Sequence, residues 1–457
     1  MVDKARRSAF VCQQCGHAAP RWLGQCPGCA AWSTLVEEAL PDPRARGGRS
    51  QRAASTAPRP LAGVPAGETL RRTTGVAELD RVLGGGLVQG SVVLVGGDPG
   101  IGKSTLALQA CGALARQDLA VLYVAGEESP EQVRLRADRL GMAETGVLIV
   151  AETAAEAVAE AIERTRPAAV VVDSIQTLHT AALGSAPGSV GQVRESASLL
   201  VTTCKASGVA CFLIGHVTKE GTLAGPRVLE HLVDTVLYFE GDGAHALRIL
   251  RAVKNRFGST NEVAVFEMGE GGLIEVANPS AAFLAERPRG APGSAVLATL
   301  EGSRPVLVEI QALVSRSALA MPRRTTIGLD PGRVALLLAV LEKRMRMPFH
   351  EQDVFLNVAG GLRIDEPAAD LAVVAAVASS ARGHALAENV AVWGEVGLTG
   401  EVRSAARAEA RLREAARQGF TQCVLPAGNA RGLVAPAGTR TAGVASLDQL
   451  FDVLAFA

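Results

Sequence analysis

Four cysteines, Cys12, Cys15, Cys26 and Cys29, form two Cys-x2-Cys pairs separated by ten residues. Two tight turns, each carrying two soft thiolates, make the tetrahedral sulfur set that Zn2+ prefers, and Gly16 and Gly28 beside the second and fourth cysteines permit those turns. A pair of disulfides or a redox pair is the alternative, which a cytosolic compartment disfavours. So short a segment buries too little to fold unaided and is expected to fold with its metal. Arg21 and Trp22, between the pairs, are placed to touch a partner, although a Trp packed on the knuckle is the commoner outcome. The remaining cysteines, Cys111, Cys204, Cys211 and Cys423, sit singly in apolar surroundings and read as packed thiols.

A second constellation opens where the apolar run Ser91–Val95 meets Gly97, Asp98, Pro99, Gly100, Ile101, Gly102, Lys103 and Ser104, with Thr105 next. This is the Walker A spacing in its strand–loop–helix setting. Backbone N–H groups close around a β-phosphate, Lys103 reaches the β/γ oxygens and the Ser104 hydroxyl ligates Mg2+, so the chemistry is binding of ATP with Mg2+.

Carboxylates follow at the right distance. The apolar strand Ala168–Val172 delivers Asp173 to the Mg2+ shell. Val121–Ala125 runs into Gly126, Glu127 and Glu128, and in RecA-like ATPases, which this order resembles, the general base that polarises water in line with the γ-phosphate stands at the end of this strand; Glu127 is the first choice and Glu128 the second, against a solvated acidic turn. His216, after strand Ala210–Ile214, and Gln176 are placed to sense that phosphate or to be ordinary polar residues near a core. Strand-like Ala246–Val253 leads to Lys254-Asn255-Arg256-Phe257-Gly258, a basic turn suited to clamp phosphate, of a neighbouring subunit's nucleotide or of DNA.

These residues need a scaffold. From about Gly75 to Asn278 strands and helices alternate, which predicts an α/β fold with a mostly parallel sheet and nucleotide at its strand ends. His179–Gln192 and Thr218–Pro226 fall outside that pattern and read as flexible loops, either DNA-contacting or plain surface. At 457 residues the chain is too long for one core, so two or three domains are expected. Lys plus Arg equals Asp plus Glu at 46 each, so any polyanion-binding surface is local, and 4% aromatic residues argue against base stacking as the main mode of recognition. Pro41–Ala66 carries Arg44, Arg46, Arg49, Arg52 and Arg59 against Asp42 among Pro, Gly, Ala and Ser, the composition of a solvated linker or a DNA-touching arm. No repeat of solenoid period is present. No apolar run reaches membrane-span length and Met1–Phe10 is polar and basic, so a soluble, cytoplasmic protein is expected.

The order of the four-Cys knuckle, Gly-Asp-Pro-Gly-Ile-Gly-Lys-Ser, Gly-Glu-Glu-Ser, Val-Asp-Ser-Ile-Gln-Thr, Gly-His-Val-Thr-Lys-Glu-Gly and Lys-Asn-Arg-Phe-Gly resembles the bacterial RadA (Sms) DNA repair family over nearly the whole chain. The resemblance implies a RecA-like P-loop ATPase core and a hexamer. It also implies an ATP-driven motor on single-stranded and branched DNA that extends heteroduplex by branch migration, with a RecA recombinase and a replicative helicase as partners. Lys254 and Arg256 would then couple ATP to movement in trans. Expected boundaries are 8–35 for the zinc knuckle, 36–66 for the linker, 67–280 for the ATPase domain and 285–457 for the last domain.

Beyond Pro288 the pattern is similar in outline to the α+β proteolytic domain of Lon proteases, which use a Ser-Lys dyad. Here Ala368 follows Glu366-Pro367 where the nucleophile belongs, and an approximate register puts Glu409 at the lysine position. A fold without its dyad reads as a scaffold for ring assembly or DNA binding; Arg316, Arg323, Arg324, Lys343, Arg344 and Arg346 are available for such a surface. Competing readings are a KaiC-like switch or a Lon-type protease motor acting on proteins, and a passive ATP-gated DNA clamp. The missing dyad weighs against the protease; the knuckle and Lys-Asn-Arg-Phe-Gly weigh against the switch.

Overall fold

The computed structural model describes residues 8–12, 17–39, 71–142, 144–215, 227–240, 247–260, 262–318 and 321–454. The chain divides into two units, Met1–Glu275 and Val276–Ala457. At the amino-terminal end, β1 (Ser8–Cys12) pairs antiparallel with β2 (Ala18–Ala19) and β3 (Leu35–Ala39). The core of this ribbon is Cys12, Ala19, Cys26 and Leu35, with Phe10 and Leu23 packed on it. Two of its four buried members are thiols, so hydrophobic burial alone is a weak reason for it to fold.

After a hairpin of β4 (Arg71–Arg72) and β5 (Leu87–Val88) around α1 (Ala77–Leu83), nine strands form one sheet. They are β6 (Val92–Gly96), β7 (Val121–Ala125), β8 (Leu148–Ala151), β9 (Ala169–Asp173), β10 (Ala210–Ile214), β11 (Thr235–Glu240), β12 (Leu247–Asn255), β13 (Val263–Gly269) and β14 (Gly272–Glu275). The order is β14-β13-β12-β11-β6-β10-β9-β7-β8. β6 to β11 pair in parallel and β12 to β14 add an antiparallel edge. Val93 and Val95 join one apolar cluster while Val92 and Leu94 join another across the sheet. Both faces of β6 are thus covered, which is why the central strands are unbroken apolar runs in sequence. The helices are α2 (Lys103–Ala115), α3 (Pro130–Arg139), α4 (Ala155–Thr165), α5 (Val190–Ser207) and α6 (Arg227–Leu232). β12 extends to Asn255, so Lys254 is a strand residue and the turn begins only at Arg256.

In the second unit, α7 (Pro279–Leu284) precedes a seven-stranded mixed sheet. Its strands are β15 (Ser294–Glu301), β16 (Arg304–Arg316), β17 (Arg324–Ile327), β18 (Gln352–Val358), β19 (Val390–Val392), β22 (Gln422–Pro426) and β23 (Arg440–Val444), and a separate hairpin joins β20 (Glu395–Val396) to β21 (Val402–Arg403). Helices α8 (Pro331–Met345), α9 (Asp370–Arg382), α10 (Ala408–Arg417), α11 (Ala427–Ala430) and α12 (Leu447–Val453) complete it. α8 starts sharply because the Asp330 side chain accepts from Arg333 N at 2.6 Å and Pro331 sits in its first turn. Among the described residues no helix is long and apolar enough to cross a membrane.

Candidate nucleotide site and metal centre

The phosphate loop is built where buried β6 must turn into α2 within a few residues. Gly97 and Gly102 take φ of 148° and 118°, backbone that a side chain would strain. A Cβ at Gly97 would also lie 2.9 Å from Phe239 Cβ. Lys103 opens α2 and is 4% exposed. Its ammonium donates to the carbonyls of Gly97 and Asp98, each at 2.8 Å. Burial lowers its pKa, opposed by the carboxylates of Asp173, Asp98 and Glu127, so all three lie within electrostatic reach of this one cation. Ser104 and Thr105 follow on the first turn of α2, half-buried.

Asp173 is the last residue of β9, 8% exposed, and accepts from the Tyr123 hydroxyl of β7 at 2.5 Å. Burial, and then the neighbouring carboxylate, push the Tyr123 phenol well above its ordinary pKa, so it stays a donor. The ends of β7 and β9 are locked together. Gly126 N donates to Asp173 O at 2.8 Å, and a Cβ at Gly126 would lie 2.1 Å from Thr177 Oγ1, leaving no space for a side chain. Glu127 follows and accepts from the Ser174 hydroxyl, whereas Glu128 turns away to an ion pair with Arg136 of α3. α3 is fixed by a capping box in which Ser129 N donates to Gln132 Oε1 at 2.9 Å and Gln132 N to Ser129 Oγ at 3.4 Å, with Pro130 in the first turn. Two adjacent acids therefore face different partners. Gln176 lies in the turn after β9; His216 lies outside the described residues.

Sequence reading missed Tyr123 and Ser174. Tyr123 was hidden because a hydroxyl in an apolar strand reads as a core aromatic; the signal is its period-two alignment with Val171 on β9, two residues before Asp173.

In the ribbon, the sulfurs of Cys12, Cys26 and Cys29 lie within 4.8 Å of one another. Cys12 Sγ and Cys29 Sγ are 3.7 Å apart, too far for a disulfide and close to the edge of about 3.8 Å expected for thiolates around zinc. Gly28 N donates to Cys26 Sγ at 3.3 Å, an orientation that supports a thiolate. The donor set fits Zn2+; Cys15 lies outside the described residues.

The other expectations fare unevenly. His179–Gln192 is held rather than loose: Gln192, 1% exposed, accepts from Thr180 N at 2.8 Å and donates to the carbonyls of Thr180, Leu183 and Ser185. Thr218–Pro226 and the linker lie outside the described residues. Trp22 is 55% exposed and does not pack away on the knuckle. Lys254 Nζ donates to the carbonyls of Glu230 and Val233 at 2.5 and 2.8 Å, capping the end of α6. Burial, then the Arg256 charge, lower its pKa. Arg256 and Lys205 both reach Oδ1 of buried Asp234, at 2.9 and 3.1 Å, and Val92 N donates to Oδ2.

In the second unit Ala368 is buried in the turn before α9. Glu409, where the approximate register puts the dyad's lysine, is exposed and pairs with Arg413. The inward residue of α10 is Arg411, 1% exposed, whose guanidinium meets Glu366 at 2.8 and 2.5 Å and Ala298 O at 2.6 Å. Arg411 rather than Glu409 faces inward because Ala408, Arg411, Leu412 and Ala415 form the buried stripe of this helix. Arg316 ends β16 and Arg324 starts β17, either side of the start of β18, while Lys343 and Arg344 lie in the last turn of α8 and Arg346 caps it, six residues before β18.

Comparison with known proteins agrees with this division. Residues 10–37 match the rubredoxin metal binding domain, 68–222 an AAA domain and 339–454 the Lon protease (S16) C-terminal proteolytic domain. DNA repair protein RadA of Pseudomonas aeruginosa is 54% identical over 99% of this chain and 100% of its own length. That of Bacillus subtilis is 51% identical over 96% and 97%, and that of Streptococcus pyogenes 49% over 98% and 99%. Among solved structures, a KaiC-like protein from Pyrococcus horikoshii OT3 overlies 46% of this chain and 99% of its own at 21% identity, with a TM-score of 0.39, too loose a likeness to argue from. Full-length identity near one half, on a chain carrying this phosphate loop and cysteine ribbon, makes it a member of the RadA family of DNA repair proteins, an ATP hydrolase whose cofactors are ATP, Mg2+ and Zn2+.

Proposed function

We propose that the chain is a DNA-dependent ATPase that drives branch migration of recombination intermediates. It works in the cytoplasm as a homohexameric ring on single-stranded and branched DNA, beside a RecA recombinase and a replicative helicase. The observation that carries the catalytic part is the convergence of Asp173 and Glu127 on Lys103, from the ends of two neighbouring parallel strands. The backbone from Gly97 to Thr105 cradles the phosphates, and Lys103 neutralises charge on the β/γ oxygens. Ser104 and Asp173 would hold Mg2+, which would supply neutralisation of the phosphate charge when bound. Glu127 takes the proton of the attacking water, with Ser174 aiming the carboxylate. Glu128, tied to Arg136, is the weaker choice.

Lys254 and Arg256 act in trans. Arg256 anchors on Asp234 beside Val92, at the start of β6, whereas the phosphate loop leaves the other end at Gly96. Four residues of strand are about 13 Å, so a phosphate within reach of Arg256 belongs to another subunit. The second unit binds DNA through Arg316, Arg323, Arg324, Lys343, Arg344 and Arg346 and cleaves no peptide, a reading supported by the methyl of Ala368 and the ion-paired Arg411. ATP turnover with and without single-stranded DNA, alongside migration of a preformed three-strand junction, tests the proposal. Turnover indifferent to DNA with no junction movement would favour a switch or motor acting on proteins.

A further inference from the structure

The sulfurs of the ribbon differ in their access to water. Cys12 and Cys26 are 0% and 2% exposed, whereas Cys29 is exposed. Four thiolates around one Zn2+ leave the centre with a net charge of about −2. Water solvates that charge at a sulfur it can reach. At a buried sulfur a hydrogen-bond donor must do so, because burying an unsatisfied charge is costly. Neighbouring cations do not take the donor's place, since residues 8–38 set Arg21 against Glu37 and Glu38.

Each of the two buried sulfurs has such a donor. Cys26 Sγ accepts from Gly28 N at 3.3 Å, a bond made by the backbone of the turn itself. Cys12 Sγ lies 3.1 Å from Thr34 Oγ1. A thiolate has no proton to give, so with metal bound the hydroxyl donates and the sulfur accepts. The fold brings the two residues together: Cys12 ends β1 and pairs with Leu35 at the start of β3, and Thr34 comes immediately before that pair. The approach is fixed by Ser33, whose φ of 57° is left-handed backbone uncommon for a residue with a side chain, and whose N–H donates to Gly24 O at 2.8 Å. A β-branched side chain entering from that turn has few rotamers, so its hydroxyl is held where Cys12 is.

We propose that Thr34 is a positioning residue of the metal centre, its hydroxyl relieving the charge of the Cys12 thiolate and thereby setting how tightly, and for how long, the ribbon keeps its zinc. It is not a ligand and acts through Cys12, as the outer hydrogen bonds of metal sites do. Because so small a core folds on its metal, the lifetime of the zinc is also the lifetime of the fold of the ribbon. The inference rests on the zinc ribbon and is independent of the DNA-motor reading.

The test uses the reduced, full-length, zinc-loaded protein in competition with a chromophoric zinc chelator, beside a sample in which Co2+ replaces zinc. Thr34→Val keeps the size and β-branching and removes the hydroxyl. It should weaken zinc binding about 10- to 100-fold and speed transfer of zinc to the chelator. Thr34→Ser restores the hydroxyl without the methyl and should hold zinc nearly as wild type does. In the cobalt form the sulfur-to-metal charge-transfer band should move to lower energy in Thr34→Val, because a thiolate that has lost its donor gives up its electrons more readily, and should return in Thr34→Ser. A threonine that only packs would alter affinity without moving that band. The proposal is overturned if Thr34→Val keeps zinc as tightly as wild type, if its cobalt band is unmoved, or if Thr34→Ser is impaired as much as Thr34→Val, since the methyl and not the hydroxyl would then be what matters.

Discussion

The hydroxyl of Tyr123 donates to the carboxylate of Asp173 at 2.5 Å, so the strand that leads to Glu127 also holds the acid of the neighbouring strand. The carboxylate proposed to hold Mg2+ and the proposed base are consequently positioned as one unit. Lys103→Ala should abolish productive ATP binding. Glu127→Gln should still bind ATP but turn it over roughly 10²- to 10⁴-fold more slowly. Glu128→Gln should stay within a few-fold of wild type, because its partner is Arg136. Tyr123→Phe should weaken the response to Mg2+ and cost about 1–3 kcal/mol of stability. Nucleotide affinity, turnover against Mg2+ and thermal unfolding measure these separately; a fully active Glu127→Gln with a dead Glu128→Gln would reverse the assignment.

The ribbon should hold one zinc per chain. Cys26→Ser should lose that zinc and the ribbon's amide protection while ATP turnover without DNA stays near wild type. Metal analysis and hydrogen exchange read the two effects, and a reduced, metal-free ribbon with full protection would refute the assignment.

The second unit should cleave no unfolded protein, and neither should Ala368→Ser. A guanidinium, which does not give up its proton in proteins, cannot serve as base to a restored hydroxyl, and Arg411 is already committed to Glu366. Arg411→Ala should destabilise this unit by about 3–5 kcal/mol, because it leaves the Glu366 carboxylate uncompensated. Fluorogenic casein release and denaturant unfolding are the readouts.

Acid should expose a further dependence. Bonds from Thr399, then the backbone of its own turn and Arg403, pull the Glu401 carboxyl from 4.5 down to about 2. A depressed folded pKa gives stability that is present above 4.5 and lost as pH falls towards 2. Glu401→Gln should therefore be less stable than wild type at pH 6, with the gap narrowing below pH 4; thermal melts across that range decide it, and a gap constant with pH would be the contrary result.

Lys254→Ala and Arg256→Ala should bind ATP with nearly unchanged affinity yet fail to move junctions. Mixing each with wild-type subunits gives the sharper measurement. A group acting on a neighbour's phosphate depresses activity out of proportion to its fraction, whereas a strictly proportional loss would mean that Lys254 only caps α6 and Arg256 only neutralises Asp234.

Much of the first unit was legible in sequence because its strands are covered on both faces, and long apolar runs bounded by glycine and acids leave little ambiguity. The phosphate loop needs particular residues in one order, so spacing sufficed. Less legible were features decided by tertiary contact. Glu127 and Glu128 are indistinguishable as letters and differ only through Ser174 and Arg136. That Arg411 and not Glu409 faces inward was hidden because a helix of alternating Ala, Arg and Glu shows its buried stripe only once a sheet lies beneath it. Gln192 quiets a Gly- and Ser-rich stretch that composition alone marks as loose.

That glutamine has a mechanical consequence. α5, 18 residues long, is fastened at its start to the 180–185 stretch by Gln192, and near its end Lys205 grips the Asp234 carboxylate that also holds Arg256. It is a rod of about 27 Å with a rivet at each end. Tilted about 5° on one rivet, it displaces the other by about 2 Å, comparable to the length of a hydrogen bond. A modest rearrangement in the turn after Asp173 would thus reach Arg256 as leverage along one stiff beam, with no melted segment or sliding sheet required.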